Sequence, residues 1–357
     1  MYTELTTWSN FLLAYQKASR GKRGHPNVAA FEYRLEDNLF DLQEQLRQQR
    51  YQPGGYVNFT IHEPKRRIIS AAPFPDRVVH HALCNRIEPL FERSFIYDSY
   101  ANRLGKGTHR ALDRCQQFAR RYRYVLQCDI RQFFPSLDHD VLRAILWRKV
   151  SDCQTRWLID QILASGAHVL RDEYEMVWFP GDDLLAAARL RGLPIGNLTS
   201  QFWANCYLNP FDHFVQRELR CLAYLRYVDD FLLFSDDLAQ LWRWLAQIEE
   251  RLARFRLTIH PQAQPRPVAK GISFLGFRLF PDRRRLKRRK GIHFQRKLTH
   301  LIQAYADGAI SLDQLTASVQ GWVNHSRYGN TVGLRKAVLT ARVIPSPLVE
   351  KTRPKPV

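Results

Sequence analysis

The residues with the clearest capacity for chemistry are Asp229 and Asp230, adjacent acids in Tyr227-Val228-Asp229-Asp230 between the apolar runs Cys221 to Arg226 and Phe231 to Phe234. Acids rarely lie inside buried strands. The flanks predict two short β-strands, so the pair falls on the tight turn between them, where both carboxylates can be aimed at one bound cation. The ordinary alternative is a hairpin with an acidic turn and no ligand, because aspartate is itself a common turn residue. Phosphoryl transfer by two metals needs carboxylates that hold two cations about 4 Å apart, and Asp129 is the best third ligand. It closes the apolar strand Tyr124-Val125-Leu126-Gln127-Cys128 and precedes Ile130, so it emerges at a strand end that can face the hairpin. Asp138 and Asp140 lie in Ser136-Leu137-Asp138-His139-Asp140, a turn and helix start where acids cap. Asp236 and Asp237 precede a helix and are read in the same way.

The elements that must position these acids follow from the apolar pattern. Leu35, Leu39, Leu42 and Leu46 recur at helical spacing until Pro53-Gly54-Gly55 ends the run, so residues 1–50 are helical. A mixed stretch follows to about residue 280, with strands expected at Tyr56 to Ile61, Tyr124 to Ile130, Leu222 to Tyr227, Phe231 to Ser235 and Ser273 to Phe280. Helical patterns such as Leu238 to Phe255 separate them. Strands joined partly by a hairpin and partly by helices imply an α+β fold. After Pro281-Asp282 the composition changes. Residues 283–290 carry seven basic side chains in eight positions, and residues 281–357 hold 16 Lys+Arg against 4 Asp+Glu, an excess of 12 of the chain's +20. Leu298 to Ala306 and Leu312 to Trp322 read as helices beside that run, forming a basic helical region over 283–345. The proline-bearing tail, 346–357, is expected to be disordered.

At 357 residues, with 45% hydrophobic and 12% aromatic residues, the chain is globular. A charge of +20 predicts a polyanionic partner bound through phosphate contacts and counterion release. No apolar run approaches the ~18 residues of a spanning helix, and Met1-Tyr2-Thr3-Glu4 lacks the layout of a signal peptide. A soluble cytoplasmic protein without a membrane partner is therefore expected. The six cysteines, at 84, 115, 128, 153, 206 and 221, have no CxxC spacing and read as small core residues. Gly105-Lys106-Gly107-Thr108 has the wrong spacing for a phosphate-binding loop. Phosphate chemistry here would rest on metals held by acids.

Several blocks, in order, carry a family resemblance. Leu225-Arg226 before Tyr227-Val228-Asp229-Asp230, Asp129-Ile130-Arg131-Gln132-Phe133-Phe134 and Phe274-Leu275-Gly276-Phe277 resemble motifs of reverse transcriptases, the bacterial members most closely. Arg67-Ile68-Ile69, the stretch Pro75 to Leu83, and Ser99-Tyr100-Ala101-Asn102-Arg103 with Gly107 resemble the fingers motifs. The resemblance covers roughly residues 35–280 and implies a right-hand polymerase: a helical N-terminal part of the fingers over 1–50, fingers and palm over 51–282 with an antiparallel palm sheet, then a helical thumb over 283–345.

By resemblance, Asp129, Asp229 and Asp230 are the metal-binding and catalytic carboxylates, with the Ile130 backbone carbonyl lending a further ligand to two Mg²⁺ ions. Mn²⁺ is expected to substitute in vitro. Phe134 matches the aromatic gate that crowds a ribose 2′-hydroxyl, while Phe133 is the more natural core residue. Lys65 and Arg67 match positions that grip the incoming dNTP, and Arg66 could trade places with either. Gly276 matches the primer-grip turn. Template or primer contacts are expected from Ser200, Gln201, Gly276, Arg283, Arg284, Arg285, Lys287, Arg288, Arg289 and Lys290, along the template RNA and the RNA/cDNA duplex.

One departure narrows the subgroup. Most reverse transcriptases carry Gln-Gly and then Ser-Pro where this chain reads Leu193-Pro194-Ile195-Gly196-Asn197-Leu198-Thr199-Ser200-Gln201. With Phe179-Pro180-Gly181-Asp182-Asp183-Leu184 upstream, the pattern is similar to the enzymes of diversity-generating retroelements. That similarity implies error-prone copying of a template-repeat RNA opposite adenine, with a small basic accessory variability protein as partner. Ile195 and Gly196 then border the nucleotide, and Ile195 offers shape where glutamine offers hydrogen bonds. A group II intron, retron or phage-defence enzyme is the alternative. A scaffold that lost activity fits less well, since all three acids are present, and a membrane-surface protein lacks an amphipathic anchor. There is little room after Arg335 for a nuclease domain, so target nicking and RNA removal are expected from elsewhere.

Overall fold

The computed structural model describes residues 1–62 and 66–340. By internal contacts the chain divides into two compact units. The first comprises Met1–Lys106, Leu126–Leu233 and Ala239–Gln264, and the second Gly107–Val125, Phe234–Leu238 and the chain from Pro265 onward.

The first unit opens with helices α1 (Tyr2–Leu5), α2 (Trp8–Ser19), α3 (Pro26–Tyr33) and α4 (Leu35–Arg47). Thr7 caps α2 by accepting from the Asn10 N–H, and Pro26 begins α3 where its missing N–H costs nothing. The α4 periodicity buries Leu39, Leu42 and Leu46. Strands β1 (Val57–Ile61) and β2 (Arg67–Ala71) form an antiparallel pair in which Phe59 faces Ile69. After them α5 (Phe74–Glu92) packs against α2. Three further helices of the first unit are the short α7 (Phe133–Ser136), α8 (His139–Trp147) and α9 (Cys153–Gly166), and α10 (Leu198–Arg217) then packs on α5 and α8. Its Trp203, Tyr207 and Phe211 are among the largest fully buried side chains.

A four-stranded sheet runs in the order β4 (Tyr224–Tyr227), β5 (Asp230–Ser235), β3 (Tyr124–Asp129), β6 (Gln264–Pro267). β4 and β5 are an antiparallel hairpin. Phe231, Leu232, Leu233 and Phe234 are all buried, so β5 is apolar on both faces. The α+β expectation is met by this sheet and its covering helices.

The second unit contains α6 (Thr108–Arg121), the antiparallel strands β7 (Ile272–Phe274), β8 (Phe277–Leu279) and β9 (Arg284–Leu286), and helices α12 (Arg288–Ala306), α13 (Leu312–Ser326) and α14 (Val332–Thr340). α11 (Leu238–Arg254) starts at the last residue of this unit's middle segment and continues in the first unit. Phe294, Leu298, Leu315 and Val338 form the helical core, with Trp322 stacked on Phe294 at 4.2 Å. Ser311 and Gln314 make a reciprocal capping box at the start of α13.

Three local readings change. Ser273 to Phe280 is a hairpin rather than one strand, because Leu275 and Gly276 adopt φ of 44° and 89° and reverse the chain. The basic run, expected to lie beside the helices, itself forms β9 and opens α12, which begins at Arg288 rather than near Leu298. Cys153, at the start of α9, is exposed, while the other five cysteines are buried. The tail 346–357 and the end of the region 283–345 lie outside the described residues.

Phe211 anchors the first unit, fully buried and edge-on to Phe231 at 5.2 Å. Phe211→Ala is expected to lower stability by ~3–5 kcal/mol in urea denaturation. A loss below ~1 kcal/mol would show that α10 and β5 are not packed as described.

Candidate active site

Asp129 ends β3 because the chain there turns to meet a different partner. The Asp129 carbonyl accepts the His260 N–H at 2.8 Å, Ile130 bridges to Ile259, and the Arg131 N–H reaches the Thr258 carbonyl at 2.8 Å. On the other side, the Ile130 N–H donates to the Asp229 carbonyl at 3.3 Å. The strand end and the acidic turn are therefore joined through their backbones. Asp129 is exposed, whereas Asp229 and Asp230 are half-buried.

The turn itself is tight. Tyr227 pairs with Asp230, leaving only Val228 and Asp229 as the connection. Val228 has φ of 59°, a left-handed conformation that a two-residue hairpin demands and that a β-branched side chain resists, at a strain of ~1–3 kcal/mol. The opposing force comes from Arg226, whose side chain is 1% exposed. Its Nη1 donates to the Val228 carbonyl at 2.9 Å, and its Nε and Nη2 make a bidentate pair with Asp212 of α10 at 2.8 and 2.7 Å. Tyr224 Oη also donates to Asp212, at 2.7 Å. The Arg226 backbone N–H bonds the Asp98 carbonyl, and its own carbonyl accepts from Tyr100. The segment Ser99-Tyr100 expected in the fingers thus clamps the strand that leads into the acidic turn.

Electrostatics at the corner follow from this packing. Burial first and the neighbouring Asp129 charge second push the Asp229 carboxyl up to about 6, against the opposing pull of Arg67 and Arg226. Gln127 Nε2 donates to Asp230 at 3.2 Å. Asp129, Asp229 and Asp230 offer the hard oxygen donors that magnesium takes. Among the described residues no three His, Cys, Asp or Glu side chains form a ready-made cage. Magnesium ordinarily keeps waters and one or two carboxylates, with substrate phosphates completing its shell, so the donor set fits that ion.

The other expected residues of the first unit have definite local settings. Phe133 is buried and Phe134 half-buried, their rings 5.5 Å apart, with the Phe134 carbonyl fixed by the Leu193 N–H. Arg67 is exposed at the start of β2, and Lys65 lies outside the described residues. The Ile195 carbonyl accepts the Ser70 N–H at 2.8 Å, leaving its half-exposed side chain without a polar role. Gly196 has φ of 112°, and a Cβ there would sit 2.8 Å from Ile69, so only glycine fits. Ser200 is buried in the first turn of α10, and Gln201 is half-buried.

In the second unit Gly276 turns the β7–β8 hairpin at φ of 89°. A Cβ there would meet His325 at an ordinary 3.6 Å, so backbone conformation rather than crowding demands glycine. Within the basic run, Arg284 is engaged internally, donating to Gln116 and Asp113 at 2.7 Å each. Arg283 pairs with Asp282 and lies over Phe280. Arg285, Lys287, Arg288, Arg289 and Lys290 are exposed.

Sequence reasoning missed Arg226, Asp212 and Asn197. The signal for the first two was an arginine within Tyr224-Leu225-Arg226 and an aspartate within the apolar Phe211-Asp212-His213-Phe214, since buried charges come in pairs. Asn197 is buried and saturated: its Oδ1 accepts from Ala72, and its Nδ2 donates to the Ser70 and Pro194 carbonyls, tying β2 to the turn before α10. The motif Phe179 to Leu184 is a turn held by Arg256, which makes a bidentate pair with Asp182 at 2.7 and 2.8 Å. Asp138 caps α8, as expected, and also pairs with Arg189.

Residues 61–279 match the family described as "Reverse transcriptase (RNA-dependent DNA polymerase)". The chain belongs to the reverse transcriptase family. The matched span takes in Asp129, Phe134, Ile195, Asp229, Asp230 and Gly276 of this reverse transcriptase and stops before the basic run. Protein YkfC of Escherichia coli K12 is 25% identical over 303 residues, covering 72% of this chain and 75% of that protein. Group II intron-encoded protein LtrA of Lactococcus lactis is 25% identical over 151 residues, or 42% of this chain and 23% of LtrA. An apo telomerase structure from Candida tropicalis aligns with a TM-score of 0.45 at 11% identity over 65% of this chain and 55% of that one, too distant to argue from. No helix among the described residues is long and apolar enough to cross a membrane.

The raised Asp229 carboxyl has a consequence for stability. Below the unfolded value near 4 the group is protonated in both states, and the stability this gives is lost as pH rises through about 6 and the crowded charge forms. In EDTA, Asp229→Asn is therefore expected to match wild type near pH 4.5 and to be more stable by ~1–2 kcal/mol at pH 7.5 in urea denaturation. Equal differences at both pH values would contradict charge crowding at the turn.

Proposed function

We propose that this reverse transcriptase copies a template-repeat RNA into cDNA with frequent errors opposite adenine, as part of a diversity-generating retroelement. The reaction joins the primer 3′-oxygen to the α-phosphorus of a dNTP and releases pyrophosphate. Asp129, Asp229 and Asp230, with the Ile130 carbonyl, would hold Mg²⁺. Bound there, the ion supplies positive charge for ionising the primer hydroxyl and for the departing pyrophosphate. Arg67, whose field reaches Asp229, attracts the triphosphate. Phe134 crowds the 2′ position of the sugar, and Ile195 with Gly196 lines the nascent pair. The exposed basic residues of β9 and α12 draw the RNA/cDNA duplex electrostatically, and a basic accessory variability protein assists at the template RNA.

The observation that carries the mutagenic reading is Ile195. Its main chain is fixed to β2 while its side chain offers no hydrogen bond where a glutamine would. Loss of one polar contact lowers discrimination by ~1–3 kcal/mol, enough to admit mispairs about 5- to 150-fold more often. Similarity to LtrA favours a second reading, an intron-type enzyme that copies faithfully.

Primer extension on RNA with dNTPs and Mg²⁺, with and without the candidate template RNA and accessory protein, followed by cDNA sequencing, separates the two. Wild type is expected to misincorporate opposite adenine, and Ile195→Gln to reduce those errors by about fivefold or more. Faithful copying of adenine by the assembled wild type would move the enzyme to the intron-type reading. An unchanged spectrum in Ile195→Gln would remove Ile195 as a cause.

A further inference from the structure

We propose that Arg226 is a positioning residue for DNA synthesis: its bond to the Val228 carbonyl holds the strained turn closed and so fixes the Asp229 carboxylate relative to Asp129. The proposal rests on the polymerase reading of the three acids and adds a residue outside them. Three observations carry it. Val228 occupies a left-handed conformation that glycine, not valine, would adopt without strain. Arg226 reaches the carbonyl of that same residue from a fully buried position. Asp212, 0% exposed, occupies the remaining guanidinium donors bidentately and holds the fork in one orientation.

Each part of this arrangement has a use that burial alone does not explain. An arginine placed only to neutralise Asp212 would need no third bond to a turn. The Arg226 Nη1 instead divides between Val228 and Asn205 Oδ1, the latter at 3.2 Å. Asn205 in turn donates to the Ala101 carbonyl at 2.9 Å, and Tyr100 and Asp98 grip the Arg226 backbone. The turn is thus referenced to α10 and to the 98–101 segment, two parts of the first unit that the β4–β5 hairpin cannot reach through its own ladder. Lysine could match the charge but not the planar fork.

A structural role and a positioning role separate in a variant that keeps the packing and removes the bond. Buried ion pairs are often replaced by apolar residues without loss of stability. The triple variant Arg226→Met, Asp212→Leu, Tyr224→Phe removes the pair together with the hydroxyl that would otherwise lose its acceptor. It is expected to unfold cooperatively with the β4 and β5 ladder amides still protected. In the metal-free protein the Ile130 amide, bonded to the Asp229 carbonyl, is expected to exchange at least about tenfold faster. Primer extension should show kcat reduced by about 10²-fold, a higher Mg²⁺ requirement, and a KM for dNTP within about threefold of wild type.

A folded triple variant with wild-type exchange at Ile130, or with wild-type kcat, would overturn the proposal. Should that variant fail to fold, Arg226→Lys serves: slow exchange at Ile130 and full kcat in the folded lysine variant would equally overturn it. Wild-type extension on RNA, run alongside, tests the polymerase reading separately. If wild type makes no cDNA, that reading fails while the metal-free exchange still decides whether Arg226 holds the turn.

Discussion

Asp129 and Asp229 lie close enough for the charge of one to raise the proton affinity of the other, and backbone bonds on either side hold the strand end and the turn together. Like charges in a half-buried corner repel, and the turn that carries Asp229 is itself strained at Val228. The corner persists because backbone bonds fix it from outside: Ile130 to Asp229, Asp129 to His260, and Arg131 to Thr258. Positive charge at Arg67 and Arg226 lowers the electrostatic cost without neutralising the acids. What remains is a concentration of negative charge on a corner fixed by its backbone, an arrangement suited to a cation. Membership of the reverse transcriptase family agrees with that chemistry.

A second constraint works at the root of the β1–β2 ribbon. The turn Ile195-Gly196-Asn197 must pass close to β2, and Gly196 allows an approach that any Cβ would block at Ile69. Asn197 then satisfies backbone groups of Ser70, Ala72 and Pro194, so the exposed β1–β2 ribbon is anchored to the start of α10. A ribbon of two strands has little stability alone. Side-chain amide bonds to α10 give it a fixed root, while β1 stays exposed along its whole length.

The acids, the hairpin between them and the α4 stripe were legible in the sequence because each is a local pattern: adjacent charges between apolar runs, or leucines at helical spacing. Caps such as Asp138 were legible for the same reason. Partners distant along the chain were not. Nothing local announces that Arg226 will find Asp212, or that Arg284 will turn from solvent to Asp113 and Gln116. Seven basic residues in eight look alike in sequence, and only the β8–β9 pairing distinguishes those held inward from those left exposed. Ser273 to Phe280 read as one strand because its apolar residues continue past Gly276; a turn there was suggested by family resemblance alone, and the positive φ of Leu275 and Gly276 shows the reversal. The two compact units are likewise interleaved along the chain, a division that composition alone cannot show.

The proposed chemistry places RNA-templated DNA synthesis at the corner of Asp129, Asp229 and Asp230. Single-turnover extension of a DNA primer on RNA with Mg²⁺, comparing wild type with a folded Asp129→Asn variant, tests it most directly. Template-directed cDNA is expected from wild type, with a rate at least about a hundredfold lower in the variant. Extension by the variant at the wild-type rate would place the chemistry elsewhere and contradict it.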